Sequence, residues 1–157
     1  NATWAARSSI ETFDLDETAQ VISILPWAHV YGQNCDLHNY MAFGGGIAFV
    51  ESLEKFMQNV QETKPTAING VPRIVNKIYD AIMMGVKADP MKKQFFDAAL
   101  DVAAKNRDLP EKTKEFQDYD ALVFSKVRAI FGGNLKFIVS SSSLLKPEIA
   151  QFFHDIG

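Results

Sequence analysis

One stretch, an apolar run followed by serines and a helix that begins at a proline, constrains the fold most. Residues 135–140 read LKFIVS, an apolar, β-branched pattern that is typical of a strand buried on both faces. The four serines at 140–143 are too small and too polar to continue such a strand. Pro147 suits the first position of a helix, because its φ is helical and the N–H it lacks would have no intrahelical partner. A strand, a small-residue loop and a helix make half of a βαβ unit.

The same order of elements recurs along the chain. A buried strand is predicted at residues 20–25, a short strand at 47–50 and a short, less apolar strand at 66–69, and each is followed by a loop and a helix. Two further helices are predicted at 91–106 and 114–131, before the last strand. Strand–helix units joined by right-handed crossovers build a parallel sheet. The sequence therefore predicts an α/β fold with a mostly parallel sheet of about four strands, flanking helices and an inserted helical pair before the last strand.

Composition and residue spacing exclude several classes of function. The 157 residues carry a net charge of −3, so no nucleic acid partner is indicated. The single cysteine, Cys35, excludes a disulfide framework and a cysteine-based metal cluster. His38 and His154 have no ligand partner at a suitable spacing, so we predict no metal site. No run is long and apolar enough to span a bilayer, and the first residues do not resemble a signal peptide.

The loops that follow parallel strands meet at one edge of a sheet, where ligands of open α/β folds bind. His29, in the first of these loops, could serve as a general base or as a polar wall, or could simply be a packed residue. The serine loop would let a flat ligand approach the backbone, although ordinary solvated loops also use serine. Arg73 and Lys77 share a helix face and are explained most simply as solvated charges. The loops predicted at this edge are residues 26–32, 51–52, 70–73 and 140–145.

Familiar motifs of hydrolases and nucleotide-binding proteins do not occur in the sequence. The serines are not part of a G-x-S-x-G nucleophile elbow. Neither G-x-x-x-x-G-K-[ST] nor G-x-G-x-x-G is present. We therefore expect any loop that cradles phosphate to lie outside these residues.

Four segments resemble, in their order and spacing, the AMP-forming acyl-CoA synthetases of the adenylate-forming superfamily. The segments are LPWAHVYG, GGGIAFVES, KPTAINGVPRIVNKIYDAI and LKFIVSSSSLLKPEIAQFF. The resemblance runs from about Val21 to Gly157. The VPR-x-x-x-K-I-Y form, with a long helical connection before the next strand, is most similar to the long-chain fatty acyl branch. The resemblance implies that residues 1–157 are part of a larger N-terminal, AMP-binding domain.

The resemblance also implies a reaction and a set of contacts. Members of the family activate a carboxylate with ATP and Mg²⁺ to an acyl-adenylate, and then transfer the acyl group to coenzyme A. No catalytic residue and no tightly bound cofactor is expected within these residues. The residues implied to bind the acyl group are His29, beside the carboxylate, and Gly70, Val71 and Pro72. The residues implied to contact the adenine ring are Ser141, Ser142, Ser143 and Leu144.

The serine loop departs from the family pattern. The family usually reads SGAAPL or SGGAPL where residues 140–145 read SSSSLL. A serine in place of a glycine adds a Cβ and disfavours a positive φ. Lys146 stands where a capping Ser, Thr or Asp is usual, and its side chain cannot accept the cap hydrogen bond. We therefore expect altered adenine contacts or altered specificity.

Other parts of the family pattern are not found in the sequence: the phosphate loop, the Y-G-x-T-E segment, the ribose-binding aspartate and the C-terminal lysine. We expect an inactive fragment of a long-chain fatty acid–CoA ligase, whose partners are the missing subdomains of its parent chain. Apolar surface left exposed should promote self-association. We expect a cytoplasmic parent protein and leave peripheral membrane association open. The alternative is a stand-alone α/β module that binds a nucleotide or a protein partner without catalysis.

Overall fold

The computed structural model describes residues 2–157, in which four strands form one sheet. The strands lie in the order β2-β1-β3-β4, and all neighbouring pairs are parallel. The prediction of a mostly parallel four-stranded α/β fold is therefore confirmed. The strands are β1 Gln20–Ser23, β2 Gly46–Phe49, β3 Ala67–Gly70 and β4 Phe137–Ser140.

Helices connect the strands, and two of the helical runs contain a π-helical segment. In the first run, π1 Gln33–His38 joins α2 Val30–Gly32 to α3 Asn39–Phe43. The predicted helical pair before β4 consists of one helix at residues 90–106 and a second, interrupted run at residues 114–129. The remaining helical bounds are α1 Ala2–Phe13, α4 Phe56–Thr63, α5 Pro72–Lys87, α6 Pro90–Asn106, α7 Lys114–Tyr119, π2 Asp120–Phe124, α8 Ser125–Ala129 and α9 Pro147–Asp155.

The two faces of the sheet bury different clusters, because successive side chains of a strand point to opposite faces. Ile22 and Ile68 belong to the larger core, with side chains from α4, α5, α6, π2 and α9. Val21 and Ala67 belong to a smaller cluster, which Tyr40 of α3 covers. Apolar alternation and helical periodicity in the sequence thus translate into two layers of helices around one sheet.

Strand β4 differs from the prediction of a strand buried on both faces. All four of its residues are only half-buried, whereas every residue of β3 is buried. The reason is position: within residues 2–157, β4 lies at the edge of the sheet and pairs with β3 alone. A short apolar run indicates a strand whose side chains are buried against helices, but it does not distinguish an edge strand from a central one.

Two helix starts follow the local sequence rules. Pro72 and Pro147 lie in the first turns of α5 and α9, as their fixed φ predicts. Lys146 is the N-cap of α9 and makes no side-chain cap hydrogen bond, as expected from its chemistry. None of the helices within residues 2–157 is both long and apolar enough to cross a membrane.

Candidate functional site

Three of the four strand-end loops meet at the backbone of Gly70. The hydroxyl of Tyr31 shares its proton between the carbonyl oxygens of Gly70, at 3.2 Å, and Val139, at 3.3 Å. The backbone N–H of Ser141 donates to the same Gly70 carbonyl at 3.2 Å. Burial, mainly, raises the pKa of Tyr31 to about 12, so its hydroxyl is a proton donor at neutral pH. Tyr31 thus joins the loops after β1, β3 and β4.

A cleft of about 1200 Å³ opens at the same edge, above β1 and β2. The rings of Trp27 and Phe49 form part of its apolar wall, with centroids 5.0 Å apart. The first turns of α5 contribute the opposite wall, which is mostly polar: Ile74 lies there among the side chains of Arg73, Asn76, Lys77 and Asp80. The Oδ1 atom of Asn76 is buried there and has no hydrogen-bond partner within the described part of the chain. The cleft therefore has an apolar wall that faces a mostly polar one.

A buried carboxylate lies behind this cleft, and the sequence reasoning missed it. Asp36, in π1, has no exposed surface. Its Oδ2 accepts a hydrogen bond from Ser23 at 2.7 Å, and its Oδ1 accepts one from Asn69 at 2.8 Å. Burial raises the pKa of Asp36, against the opposing effect of these two hydrogen bonds. The signal that could have found Asp36 is its place one turn before the buried Tyr40, where a core-facing helix position carries a charge.

The residues predicted to bind the acyl group take four different places. Val71 lines the cleft and is the N-cap of α5, whereas Pro72 is buried in the first turn of that helix. Gly70 contributes the carbonyl oxygen that Tyr31 and Ser141 share. His29 is exposed, and its Nδ1 accepts a hydrogen bond from the Tyr31 N–H at 3.1 Å, which caps α2. The structure thus brings His29 and Gly70 together through Tyr31.

The residues predicted to contact adenine form an exposed loop outside the cleft. Ser141, Ser142 and Ser143 are exposed, and Leu144 is 91% exposed. A second cavity, of about 430 Å³, lies between β4 and α9 and is bordered by the two ends of this loop. At one end the buried hydroxyl of Ser140 has no partner among residues 2–157. Contact between this loop and adenine stays a prediction.

The backbone of Ser142 has a φ of +75°, which is strained for a residue with a Cβ. Such strain is expected where a serine replaces a glycine in the SSSSLL loop. Replacing Ser142 with Gly should raise the free energy of unfolding by about 0.5–1 kcal/mol, because glycine adopts this φ without a Cβ penalty. Ser143→Gly is the matched control: without a positive φ to relieve, it should lower stability by about 0.5 kcal/mol through the greater entropy of the unfolded chain. Denaturant unfolding measures both, and equal losses would contradict the expectation.

Comparison with known proteins finds one matching family profile and several acyl-CoA synthetases of similar sequence. A sequence profile of the family described as AMP-binding enzyme matches residues 1–157. Long chain acyl-CoA synthetase 6 (peroxisomal) of Arabidopsis thaliana is 34% identical over 134 residues, which are 83% of this chain and 18% of that protein. Fatty acyl-CoA synthetase A of Dictyostelium discoideum is 32% identical over 133 residues, 83% of this chain and 19% of that protein. The chain thus spans 18–19% of the length of these two relatives.

Solved structures show the same fold. The adenylation domain of a carboxylate reductase from Mycobacterium chelonae has a TM-score of 0.56 at 19% identity, over 88% of this chain and 19% of that chain. The adenylation domain of a carboxylic acid reductase from Segniliparus rugosus, solved with AMP and a co-purified carboxylic acid, has a TM-score of 0.52 at 18% identity. That match covers 87% of this chain and 18% of that chain. Because the family profile matches the whole chain and a synthetase that is 34% identical covers 83% of it, the chain belongs to the AMP-binding enzyme family, among homologues that are long-chain acyl-CoA synthetases.

Proposed function

We propose that the chain supplies part of the substrate-binding wall of a long-chain fatty acid–CoA ligase. Such an enzyme adenylates a fatty acid with ATP, releases pyrophosphate, and then forms a thioester with coenzyme A. The observation that supports this best is the cleft at the carboxyl edge of the sheet, with Trp27 and Phe49 on one wall and the first turns of α5 on the other. Each methylene removed from water contributes about 0.8 kcal/mol, so an acyl chain that packs along the apolar wall would bind more tightly as its length increases.

We assign the acyl group and the adenylate to neighbouring parts of this edge. The hydrogen bonds of Tyr31 and Ser141 to Gly70 support this assignment, since they hold the two loops side by side. The residues assigned to the acyl group are His29, Gly70, Val71 and Pro72. The residues assigned to adenine are Ser141, Ser142, Ser143 and Leu144.

The phosphate and metal chemistry of this reaction belongs, in our proposal, to other parts of a longer protein. Magnesium takes oxygen ligands, chiefly from carboxylates and phosphates. Among residues 2–157, no group of three or more His, Cys, Asp or Glu side chains is arranged to hold a metal ion. The described residues therefore do not fit Mg²⁺ by themselves, and we derive no step through it. The chain would be one part of an N-terminal domain, whose other subdomains are its partners.

A chain-length profile of the full-length protein tests this function. We expect pyrophosphate release from ATP to depend on a fatty acid and to be most efficient with long chains. Ile74 lines the cleft from α5, so Ile74→Phe should reduce the usable length of the cleft. Each methylene that is excluded should lower kcat/KM by about fourfold, which is the ~0.8 kcal/mol of its burial.

The control for that experiment lies on the same helix. Met84 is 73% exposed and does not line the cleft, so Met84→Phe should leave the chain-length profile unchanged. Two results would contradict the proposal. One is a wild-type protein that releases no pyrophosphate in response to any fatty acid. The other is an Ile74→Phe variant that loses the same factor with short and long acids.

A further inference from the structure

One carboxylate holds the ends of the two central strands. Ser23 is the last residue of β1, and its hydroxyl donates to Asp36 Oδ2 at 2.7 Å. Asn69 is near the end of β3, and its side-chain amide donates to Asp36 Oδ1 at 2.8 Å. Because both strands donate to the same side chain, Asp36 fixes the position of one strand end relative to the other.

The hydrogen-bond network around Asp36 reaches the cleft through Ser23. The indole Nε1 of Trp27 donates to the Ser23 oxygen at 3.0 Å. A serine hydroxyl has one proton and two lone pairs, so a proton that is committed to Asp36 leaves a lone pair for the indole. The carboxylate therefore takes the serine proton, and the indole, which can only donate, uses the free lone pair. The ring of Trp27, so held, packs against Phe49 and lines the cleft.

Through Asn69, the same network reaches the point where three loops meet. The Asn69 amide also donates to the carbonyl of Cys35 at 3.3 Å, which ties β3 to the backbone next to Asp36. Asn69 directly precedes Gly70, whose carbonyl accepts from Tyr31 and Ser141. The hydrogen bonds of Asp36 to Ser23 and Asn69 thus both lead to the edge of the sheet where the substrate is proposed to bind.

Stability alone is a poor explanation for a carboxylate at this place. Asp36 is fully buried, and none of the ion pairs among residues 2–157 includes it. Removing a carboxylate from water is costly, and well-packed apolar side chains often replace buried charged groups without loss of stability. What an apolar side chain cannot do is accept two hydrogen bonds from two different strands.

We infer that Asp36 is a positioning residue, which acts through Ser23 to orient Trp27 as a wall of the cleft and so sets the affinity for the acyl chain. The acyl ligand in this inference rests on the function proposed above, whereas the hydrogen-bond network does not. A residue that only positions a wall for the acyl chain changes the binding of ground state and transition state alike, so its loss raises KM and leaves kcat nearly unchanged.

The test uses the full-length protein labelled with ¹⁵N at its indole nitrogens, where the Trp27 signal is assigned by its loss in Trp27→Phe. Ser23→Ala removes the acceptor of the indole, and the nearly isosteric Asp36→Asn places an amide N–H against the Ser23 oxygen, where it competes with the indole. In both variants we expect the Trp27 N–H resonance to move towards that of a free indole. We also expect KM for a long-chain fatty acid to rise about tenfold, or ~1.4 kcal/mol, with kcat within about twofold.

Two further variants make the test specific. Ser23→Thr keeps the hydroxyl and should restore both the resonance and KM. Ser125→Ala removes a hydroxyl that donates to the Ala121 carbonyl within its own helical run, and should change neither. If Ser23→Ala does not fold, the comparison is made between Asp36→Asn and Ser23→Thr.

The outcomes separate this inference from the proposed function. A Trp27 resonance that stays in place in Asp36→Asn and Ser23→Ala would overturn the inference, whatever the activity. A resonance that moves while kcat falls as much as kcat/KM would also overturn it, since Asp36 would then have only a structural effect. If the wild-type protein has no fatty-acid-dependent activity, the proposed function fails and the acyl part of the inference fails with it, while a shifted resonance still supports the network itself.

Discussion

Replacing Phe124 with Ala should lower the free energy of unfolding by about 3–5 kcal/mol, the range for truncating a large buried aromatic side chain. Phe124 is completely buried at the end of π2. Its ring centroid lies 6.3 Å from the centroids of both Phe96 and Phe116, so it joins α6 to α7. The loss combines the transfer free energy of the removed atoms with the contacts that the walls of the new cavity would lack.

The control for Phe124 lies two residues earlier in the same π-helical segment. Leu122 is 65% exposed, so Leu122→Ala should change stability by no more than about 0.5 kcal/mol. Denaturant-induced unfolding of the two variants and the wild type measures the difference. Similar losses for both would show that Phe124 does not occupy the core position described here.

Gly32→Ala should have the second largest effect, a loss of about 2–3 kcal/mol, because the added methyl group overpacks a tight contact. A Cβ at this position would lie 2.8 Å from the carbonyl oxygen of Pro26 and 3.0 Å from Cβ of Leu25. Backbone cannot move aside as the end of a flexible side chain can, so the loop after β1 must shift. That loop carries Trp27, and we therefore expect a higher KM for the fatty acid as well as a lower melting temperature.

Gly85→Ala is the matched control, since it makes the same chemical change within a helix. No atom lies within 4 Å of a Cβ built at Gly85, which is in the last turn of α5. Alanine should therefore raise stability by about 0.5–1 kcal/mol through its better helix propensity. Thermal unfolding of both variants gives the sign of each effect. A stabilised Gly32→Ala variant would contradict the close packing of α2 on the preceding loop.

The elements of the fold could be predicted because each follows from neighbouring residues. The apolar runs, the helical periodicity of α5 and the prolines at 72 and 147 are local signals, and the strands and helices that they predict are present. The parallel arrangement follows from the alternation of strands and helices. The exposure of β4 could not be predicted in this way, because it depends on which strands pair with it.

The candidate site could be predicted only in part. Parallel strands imply that loops containing His29, Gly70 and Ser141 lie at one edge, and in the structure Tyr31 joins these loops. The sequence did not reveal that the cleft lies on the β1–β2 side, with Trp27 as part of its wall. Nor did it reveal Asp36, because a single carboxylate in a helix is normally exposed, and only its partners explain its burial.

The sequence by itself determined the kind of protein: an α/β sheet with its loops at one edge, and four segments in the order of the AMP-binding enzymes. These features depend on residues that are close together along the chain. Only the tertiary structure decided which strand lies at an edge, where the cleft opens, and which side chains hold its walls. The physical reason is distance along the chain: the bonds of Asp36 to Ser23 and Asn69 span 13 and 33 residues, and that of Tyr31 to Val139 spans 108, so no local pattern encodes them.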